Sequence, residues 1–298
     1  MEFMESIFLT RSCGTHDGSF HADEVTACAL LILHDLIDKT KIVRTRNPAK
    51  LAECEYVCDV GGIYDPAQKR FDHHQLEYQG SLSSAGMILE HLRQEEVISQ
   101  GLYDYYNNNL VAGVDAHDNG KTTPQVGHCS FSGVIHNFLP IEHSASDEER
   151  DAAFFHAVDF TLGHLQRLKA RFTYVEKCKE DVIRQMESNS RVLFFDKALP
   201  WIDAFFEHDG ETHPAEFIVM PAGVHWKLRA IPPSLSERMK VRKPLPEEWS
   251  GLLEKELKDK TGISGAIFCH KGRFISVWET KEDVKRALEL MDYGNDIR

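Results

Sequence analysis

Residues 15–23 read Thr15-His16-Asp17-Gly18-Ser19-Phe20-His21-Ala22-Asp23, and this stretch decides the fold because it joins a strand pattern to a helix pattern. The apolar run Ile7-Phe8-Leu9 precedes it, and a run with the 3.6-residue apolar period of a helix follows it, from Asp23 to about Ile37. The two patterns predict a strand, a loop rich in metal ligands, and a helix.

Three further clusters of imidazole and carboxylate side chains occur within the first 120 positions: Asp59-Val60-Gly61-Gly62, Asp72-His73-His74 and Asp115-Ala116-His117-Asp118. The first two directly follow short apolar runs, Tyr56-Val57-Cys58 and Arg70-Phe71, that are typical of buried strands. In open α/β sheets, binding sites form where loops leave the carboxyl ends of the strands. We therefore expect all four clusters to build one metal site. Its nitrogen and oxygen ligands favour an open catalytic centre over a closed structural zinc site.

The remaining patterns predict the fold class. Strand and helix patterns alternate over residues 1–145, which predicts a mostly parallel sheet flanked by helices. Residues 146–189 are helical throughout, with a possible break at Gly163, and predict a long linking helix. Residues 190–298 contain strand patterns and turn signals at Pro221-Ala222-Gly223 and Lys271-Gly272, followed by a last helix from about Lys281. They predict a smaller α+β domain with two hairpins.

Composition indicates a globular enzyme rather than a membrane or disulfide-rich protein. Of the 298 residues, 42% are hydrophobic and 27% are charged. The seven cysteines include no C-x-x-C pair, no stretch approaches the roughly 20 apolar residues of a membrane span, and Met1-Glu2-Phe3-Met4-Glu5 lacks a basic signal-peptide start. We expect a cytoplasmic protein.

The net charge of -13 is unevenly distributed. Residues 1–189 carry 17 Lys and Arg against 29 Asp and Glu, a net charge of -12, whereas residues 190–298 carry 17 against 18, a net charge of -1. Tight binding to long duplexes needs many cationic contacts to phosphates. Short single strands or small phosphoesters are therefore the expected substrates.

The four clusters and their order resemble the motifs of the DHH phosphoesterase superfamily. Three segments are similar to motifs of the melanocyte-proliferating-gene family, which is described as a family of metal-dependent 3'-5' RNA exonucleases. These segments are Thr-His-Asp-Gly-Ser-Phe-His-Ala-Asp-Glu, Arg-Phe-Asp-His-His-Gln and Val-Asp-Ala-His-Asp-Asn-Gly. One departure stands out, because His21 occupies the place of an aspartate in the superfamily pattern.

This resemblance implies two divalent metal ions, with Mn as the first expectation and Mg or Zn as alternatives. Asp59 would bridge the two metals, and the implied ligand sets are His16, His21 and Asp59 for one, and Asp23, Asp59, His73 and Asp115 for the other. The resemblance further implies that His74 contacts the scissile phosphate or protonates the leaving oxygen. Asp72 and Asp118 would accept hydrogen bonds and fix the imidazole rings.

Two sets of basic residues in the second half are candidates for binding substrate phosphates. Strand alternation puts His225, Lys227 and Arg229 on one face, and a basic run supplies Arg238, Lys240 and Arg242. A half-exposed strand and a solvated loop are the plainer interpretations of these two segments. Trp278 could stack on a base or pack against the final helix. No glycine follows the last strand, where related proteins have a glycine-containing turn suited to phosphate.

The sequence leads to the hypothesis of a two-lobed, two-metal phosphodiesterase that shortens single-stranded RNA or short oligonucleotides, with its site in the cleft between the lobes. One alternative is a small-phosphate hydrolase, such as a pyrophosphatase or nucleotide phosphatase. A non-catalytic metal-binding regulatory protein is the other. The sequence indicates no membrane association and identifies no protein partner.

Overall fold

The computed structural model describes residues 9–297. They divide between Phe172 and Thr173 into two compact units, unit 1 before this boundary and unit 2 after it. The predicted strand residues Ile7 and Phe8 and the N-terminal segment 1–5 lie outside the described residues. We describe each unit by itself.

Unit 1 contains a five-stranded sheet whose central strands are parallel. Its strands are β1 (Leu9–Thr15), β2 (Ile42–Arg44), β3 (Cys54–Cys58), β4 (Tyr64–Asp65) and β5 (Arg70–Phe71), in the spatial order β2-β1-β3-β5-β4. β1 pairs in parallel with β2 and β3, β3 pairs in parallel with β5, and β4 is antiparallel to β5. The predicted mostly parallel sheet is confirmed, and its parallel strands all end at one edge.

Unit 1 also contains seven helices or parts of helices: α1 (Ala22–Leu33), α2 (Pro48–Glu53), α3 (Ser84–Gln94), α4 (Gln100–Tyr106), α5 (Ala112–Asp118), α6 (Phe131–His136) and the first part of α7 (Asp147–Met186). The first ten residues of α1 are buried in the unit's core. α1 ends at Leu33, four residues before the predicted end at Ile37.

A π-helical segment, Asn107–Val111, joins α4 to α5 without a loop. Residues 100–118 therefore form one continuous helical segment with a local widening in its middle. Single π-helical turns inside longer helices often occur at functional sites. Here the widened turn immediately precedes the part of the helix that carries Asp115 and Asp118.

Helix α7 runs unbroken for 40 residues. The predicted break at Gly163 is wrong, because one glycine costs a helix only about 1 kcal/mol and the flanking residues Thr161 and Leu165 are fully buried against unit 1. The boundary between the two units falls inside this helix. The division of the chain at residues 145 and 189 stays a prediction.

Unit 2 is built on a second five-stranded sheet. Its strands are β6 (Val192–Phe194), β7 (Phe217–Ala222), β8 (His225–Ala230), β9 (Ala266–Cys269) and β10 (Ile275–Trp278), in the order β6-β7-β8-β10-β9. The helices α8 (Ile202–Glu207), α9 (Glu254–Thr261) and α10 (Lys281–Leu290) accompany it. Both predicted hairpins, β7–β8 and β9–β10, are present as antiparallel pairs, so the α+β prediction is confirmed.

None of the helices within residues 9–297 has both the length and the apolar character needed to cross a membrane.

Candidate metal centre

The parallel strands of unit 1 position the predicted ligands close together. His16 directly follows β1, Asp59 directly follows β3, and His73 is the second residue after β5. The three therefore lie at the edge of the sheet where the parallel strands end. The pairing of β3 between β1 and β5 puts Asp59 in the middle. Helix α1, directly after the first loop, adds Asp23 and Glu24 in its first turn.

The first ligand group contains His16, His21, Glu24 and Asp59, whose ligand atoms all lie within 4.8 Å of one another. His16 Nδ1 is 3.0 Å from the carbonyl oxygen of Asp17, which can only accept a hydrogen bond, so Nδ1 carries the proton. Its Nε2 is therefore directed at the carboxylates, 3.0 Å from Glu24 Oε1 and 3.3 Å from Asp59 Oδ2.

The second ligand group contains Asp23, His73 and Asp118. His73 Nε2 lies 3.0 Å from Asp118 Oδ2, 3.7 Å from Asp23 Oδ2 and 3.5 Å from Asp59 Oδ1. Asp59 thus has one carboxylate oxygen facing each group, Oδ2 toward His16 and Oδ1 toward His73.

Two atoms of this centre make no hydrogen bond, which suits them to bind a metal ion. Asp59 Oδ1 and His73 Nε2 are buried and have the close neighbours given above, yet neither makes a hydrogen bond of acceptable geometry among residues 9–297. Buried polar atoms without partners are costly, and a coordinated cation removes that cost. Asp59 also has a φ of 59°, a left-handed conformation that is uncommon for residues other than glycine. Such backbone outliers cluster at functional sites.

The carboxylates create a strongly negative environment. Burial lowers the pKa of His16, but Asp59 and Glu24 outweigh it and raise the pKa to about 10. Burial likewise opposes protonation of His73, and the carboxylates of Asp118 and Asp59 raise its pKa to about 10. Burial raises the pKa of Asp23 well above its ordinary value, and the nearby charges of Asp59 and Asp118 add to the effect. This concentration of negative charge attracts cations.

His74 is oriented by Asp72 at the edge of the centre. Its Nδ1 lies 2.8 Å from Asp72 Oδ1 and 3.4 Å from Asp59 Oδ1, and 63% of its side chain is exposed. Asp72 itself is fixed, because its Oδ2 accepts a hydrogen bond of 2.6 Å from the Gly62 backbone. The exposed imidazole is therefore available to a molecule bound beside the centre.

Asp115 lies next to the second group but is held by helix α3. Its Oδ1 accepts hydrogen bonds from the backbone N–H groups of Ser83 and Gly86, both at 3.1 Å, and from the Ser83 hydroxyl at 2.7 Å. Asp23 Oδ1 accepts from the Ala85 backbone at 2.6 Å and lies 2.5 Å from the same hydroxyl. Ser83 is the N-cap residue of α3, but its hydroxyl does not cap the helix, because it is used by the two carboxylates.

Two cavities border the centre. One, of about 330 Å³, is lined by side chains of α1, α5 and α6, and we call it the α6 cavity; its lining includes Asp23, Val114, His117, Asp118 and His136. The other, of about 420 Å³, is lined by the loops after β1, β2, β3 and β5, and we call it the loop cavity; its lining includes His16, Arg46, Asp59, Asp72 and His74. His21 lines both.

In unit 2, the basic face predicted on β8 is present. His225, Lys227 and Arg229 are half-buried, whereas the intervening Leu228 and the following Ala230 are buried in the core. Burial lowers the pKa of both Lys227 and Arg229, and the charge of Arg229 also lowers that of Lys227. No ion pair involves either of these two side chains among the described residues, and Arg229 Nε is buried without a partner there.

The second predicted basic set is largely occupied by contacts within unit 2. Arg242 donates to the backbone carbonyls of Pro232, His213, Ala215 and Gly210, so it stabilises this loop. The other two members form ion pairs, Arg238 with Asp203 and Lys240 with Glu237.

Trp278 is fully buried and its indole N–H donates to Ser276 Oγ at 2.9 Å. Trp278 is therefore part of the core of unit 2, and of the two roles considered for it from the sequence, only packing is compatible with this position.

A third group, Asp59, His73 and His74, overlaps the second, so three members of the groups, Glu24, His74 and Asp118, lie outside the ligand set that the resemblance implies. An acid such as Glu24 in a first helical turn is typical of an ordinary helix start, and the resemblance implies for Asp118 only the role of a hydrogen-bond acceptor. Glu24 does accept from the backbone N–H of His21, as a residue three positions into a helix often does, but it is also fully buried. Two adjacent buried acids, Asp23 and Glu24, at the start of an otherwise apolar helix were the signal that could have identified it.

Comparison with known proteins gives matches of three kinds: a family model, relatives of similar sequence and a solved structure. A family model described as "Uncharacterised protein family (UPF0160)" matches residues 12–290. The MYG1 protein of Chlamydia trachomatis is 53% identical over 283 residues, which cover 95% of this chain and 97% of that one. The MYG1 exonuclease of Homo sapiens is 34% identical over 313 residues, which cover 90% of this chain and 82% of that one. A solved structure of RecJ with Mn²⁺ from Thermus thermophilus aligns over 98% of this chain and 53% of that one, at 12% identity and a TM-score of 0.27.

An α/β unit with a histidine- and carboxylate-lined centre, together with these relatives, places the protein in the class of phosphoesterase hydrolases. The chain belongs to the UPF0160 family, which includes the MYG1 proteins. The resemblance to the melanocyte-proliferating-gene family is thereby confirmed.

Proposed function

We propose that this protein is a two-metal phosphodiesterase, with Mn²⁺ as its preferred ion, that acts as a 3'-5' exonuclease on single-stranded RNA or short oligonucleotides in the cytoplasm. The observation that carries the proposal is the orientation of Asp59, whose two carboxylate oxygens face two separate ligand groups. In that position Asp59 would help to hold both ions, and a pair of ions at such a site would stabilise the attacking and leaving oxygens of a phosphate ester. The similarity to the human MYG1 exonuclease supports the exonuclease activity.

The proposed ligands follow the geometry. One ion would be held by His16, His21, Glu24 and Asp59, and the other by Asp23, Asp59, His73 and Asp118. We prefer Asp118 to Asp115 for the second ion, because Asp115 Oδ1 is engaged by helix α3. Mixed imidazole and carboxylate donors suit Mn²⁺, and Mg²⁺ or Zn²⁺ remain alternatives to be tested.

When bound, a pair of divalent cations supplies positive charge that stabilises a phosphoryl group during attack by water. The chain's own contribution begins with His74, which Asp72 orients toward the loop cavity. In that position His74 contacts the scissile phosphate or donates a proton to the leaving oxygen. In unit 2, Lys227 and Arg229 lack carboxylate partners in the described part of the chain, and we propose that they bind substrate phosphates.

The test uses metal-stripped full-length protein supplied with Mn²⁺, Mg²⁺ or Zn²⁺ and offered labelled short RNA, short DNA and pyrophosphate. We expect stepwise removal of nucleotides from RNA with Mn²⁺. Preferential release from pyrophosphate would instead identify a small-phosphate hydrolase. Absence of turnover on all three substrates, with metal bound, would contradict the proposal and favour a regulatory protein.

Three variants test the roles of single residues. Asp59→Asn should abolish turnover, because it removes a charge from both ion sites, whereas His74→Ala should keep the bound metal and lose rate by about 10²–10⁴-fold. Asp35→Asn makes the same chemical change at a side chain that is 89% exposed, and should leave activity unchanged. Equal activity of Asp59→Asn and Asp35→Asn would refute the assignment of Asp59.

A further inference from the structure

The α6 cavity and the loop cavity border the metal centre through different members of its ligand groups. Asp23 and Asp118 line the α6 cavity, whereas His16 and Asp59 line the loop cavity. A phosphodiester has two ester arms, one on each side of its phosphorus atom. A phosphate bound at the centre can therefore place one arm in each cavity.

The α6 cavity suits an uncharged group. No lysine or arginine is among its lining residues, and Ala22, Val114 and Gly133 give it an apolar wall. His117 and His136 are exposed at its surface, and histidine rings are among the side chains on which unpaired bases stack. Its volume of about 330 Å³ is at the lower end of the range for small-molecule sites.

The loop cavity suits a charged group. Arg46 is the one lysine or arginine among its lining residues, and 64% of its side chain is exposed. Its contact with Asp17 is long, at 3.4 Å. The backbone beneath it is fixed, because the Thr45 N–H donates to the Thr15 carbonyl at 2.7 Å. Arginine binds phosphate through paired hydrogen bonds, so Arg46 is available to a further phosphate of the substrate.

From this difference we infer that the α6 cavity binds the uncharged nucleoside at the end of the strand, and that the loop cavity binds the phosphate-bearing remainder. The inference rests on the proposed function and adds to it a pocket for the terminal nucleoside, with His136 as a base-stacking residue. A cavity that receives the terminal nucleoside would also favour cleavage at a strand end over cleavage of an internal bond.

The test compares the Mn²⁺-loaded full-length protein with His136→Ala on three substrates. These are a dinucleoside monophosphate and the two methyl esters in which a methyl group replaces one or the other nucleoside. We expect His136→Ala to raise KM and lower kcat/KM about tenfold for the dinucleoside monophosphate. The methyl ester that lacks the nucleoside of the α6 cavity should be cleaved equally well by both proteins.

His128→Ala is the matched control, because His128 is also an exposed histidine of unit 1 but lines neither cavity. It should match the wild type on all three substrates. No loss in His136→Ala, or the same loss on all three substrates, would overturn the pocket assignment alone. A wild-type protein that cleaves none of the three phosphodiesters would overturn the proposed function and this inference with it.

Discussion

At the scale of single residues, Gly86 determines how closely Asp115 can approach helix α3. A Cβ atom at Gly86 would lie 2.3 Å from Asp115 Oδ2 and 2.7 Å from Oδ1. The missing side chain therefore lets the carboxylate reach the N–H groups at the start of the helix. An N-terminal helix end also favours negative charge, which stabilises this contact.

We predict that Gly86→Ala lowers the free energy of unfolding by about 1–3 kcal/mol, because the new methyl group displaces the Asp115 carboxylate. Urea denaturation measures the change. Gly113→Ala is the control within the same unit, because a Cβ at Gly113 meets nothing within 4 Å in helix α5. It should stabilise by about 0.5–1 kcal/mol. Equal effects of the two substitutions would contradict the proposed crowding at Gly86.

His34, just after helix α1, gives a pH-dependent contribution to stability. Burial, followed by the positive charge of Lys169, lowers its pKa to about 4 from an ordinary value of 6.5. Between these values the unfolded chain binds a proton at His34 that the folded chain does not bind. This contribution therefore favours the folded state above pH 6.5 and is lost as the pH falls toward 4.

We predict that His34→Phe weakens the loss of stability on acidification. Phenylalanine keeps a ring against Tyr106, which now lies 6.2 Å away centroid to centroid, and removes the titrating group. Urea midpoints at about pH 7 and about pH 4.5 measure the change for wild type and variant. If the two proteins lose the same stability between these pH values, His34 does not contribute in this way.

At the scale of elements, the glycines of α7 and α9 differ in the backbone conformation that their positions require. Gly163 lies inside the 40-residue α7 with open space around its Cβ position, whereas Gly262 ends α9 with a φ of 70°. Gly163 has the backbone conformation of an ordinary helix, so its main effect is to raise the conformational entropy of the unfolded chain. The position of Gly262 requires the left-handed conformation that glycine adopts without strain.

We predict opposite effects of the same substitution at these positions. Gly163→Ala should raise the free energy of unfolding by about 0.5–1 kcal/mol. Gly262→Ala should lower it by about 1–2 kcal/mol, because alanine is strained at positive φ. Thermal unfolding of the two variants measures the sign. A destabilising Gly163→Ala would indicate that α7 is not a regular helix at that position.

At the scale of the whole molecule, all residues of the candidate metal centre belong to unit 1. A ligand stabilises the state that binds it, by about 2.7 kcal/mol at a concentration of 100 times Kd. We predict that Mn²⁺ slows amide hydrogen exchange in β1, β3 and α1 of unit 1, and has a smaller effect in β9 and α10 of unit 2. Hydrogen-exchange mass spectrometry with and without Mn²⁺ measures this difference.

The Asp59→Asn variant provides the control for that experiment, because it removes one charge shared by both ligand groups. Its exchange should change much less on addition of Mn²⁺. Equal protection of Ala266–Cys269 and Leu9–Thr15 in the wild type would contradict a centre confined to unit 1.

The amino-acid sequence alone was enough to predict which segments contribute to the candidate metal centre. Each ligand-bearing cluster follows an apolar run or lies in a helical pattern, and parallel strands bring their carboxyl ends to one edge, so His16, Asp59 and His73 could be placed together without coordinates. The hairpins of unit 2 could also be predicted from the sequence, because Pro221-Ala222-Gly223 and Lys271-Gly272 are turn residues flanked by strand patterns.

The tertiary structure alone decided which carboxylates and cations are free to bind a ligand. Asp115 and Asp118 are three residues apart on one helix, yet one is held by the start of α3 and the other faces His73. Arg242 donates to carbonyl groups up to 32 residues away in sequence. Local sequence patterns indicate the element in which a side chain lies. Its partners come from segments distant in sequence, and these partners determine its burial, its charge and whether it is free to bind a ligand.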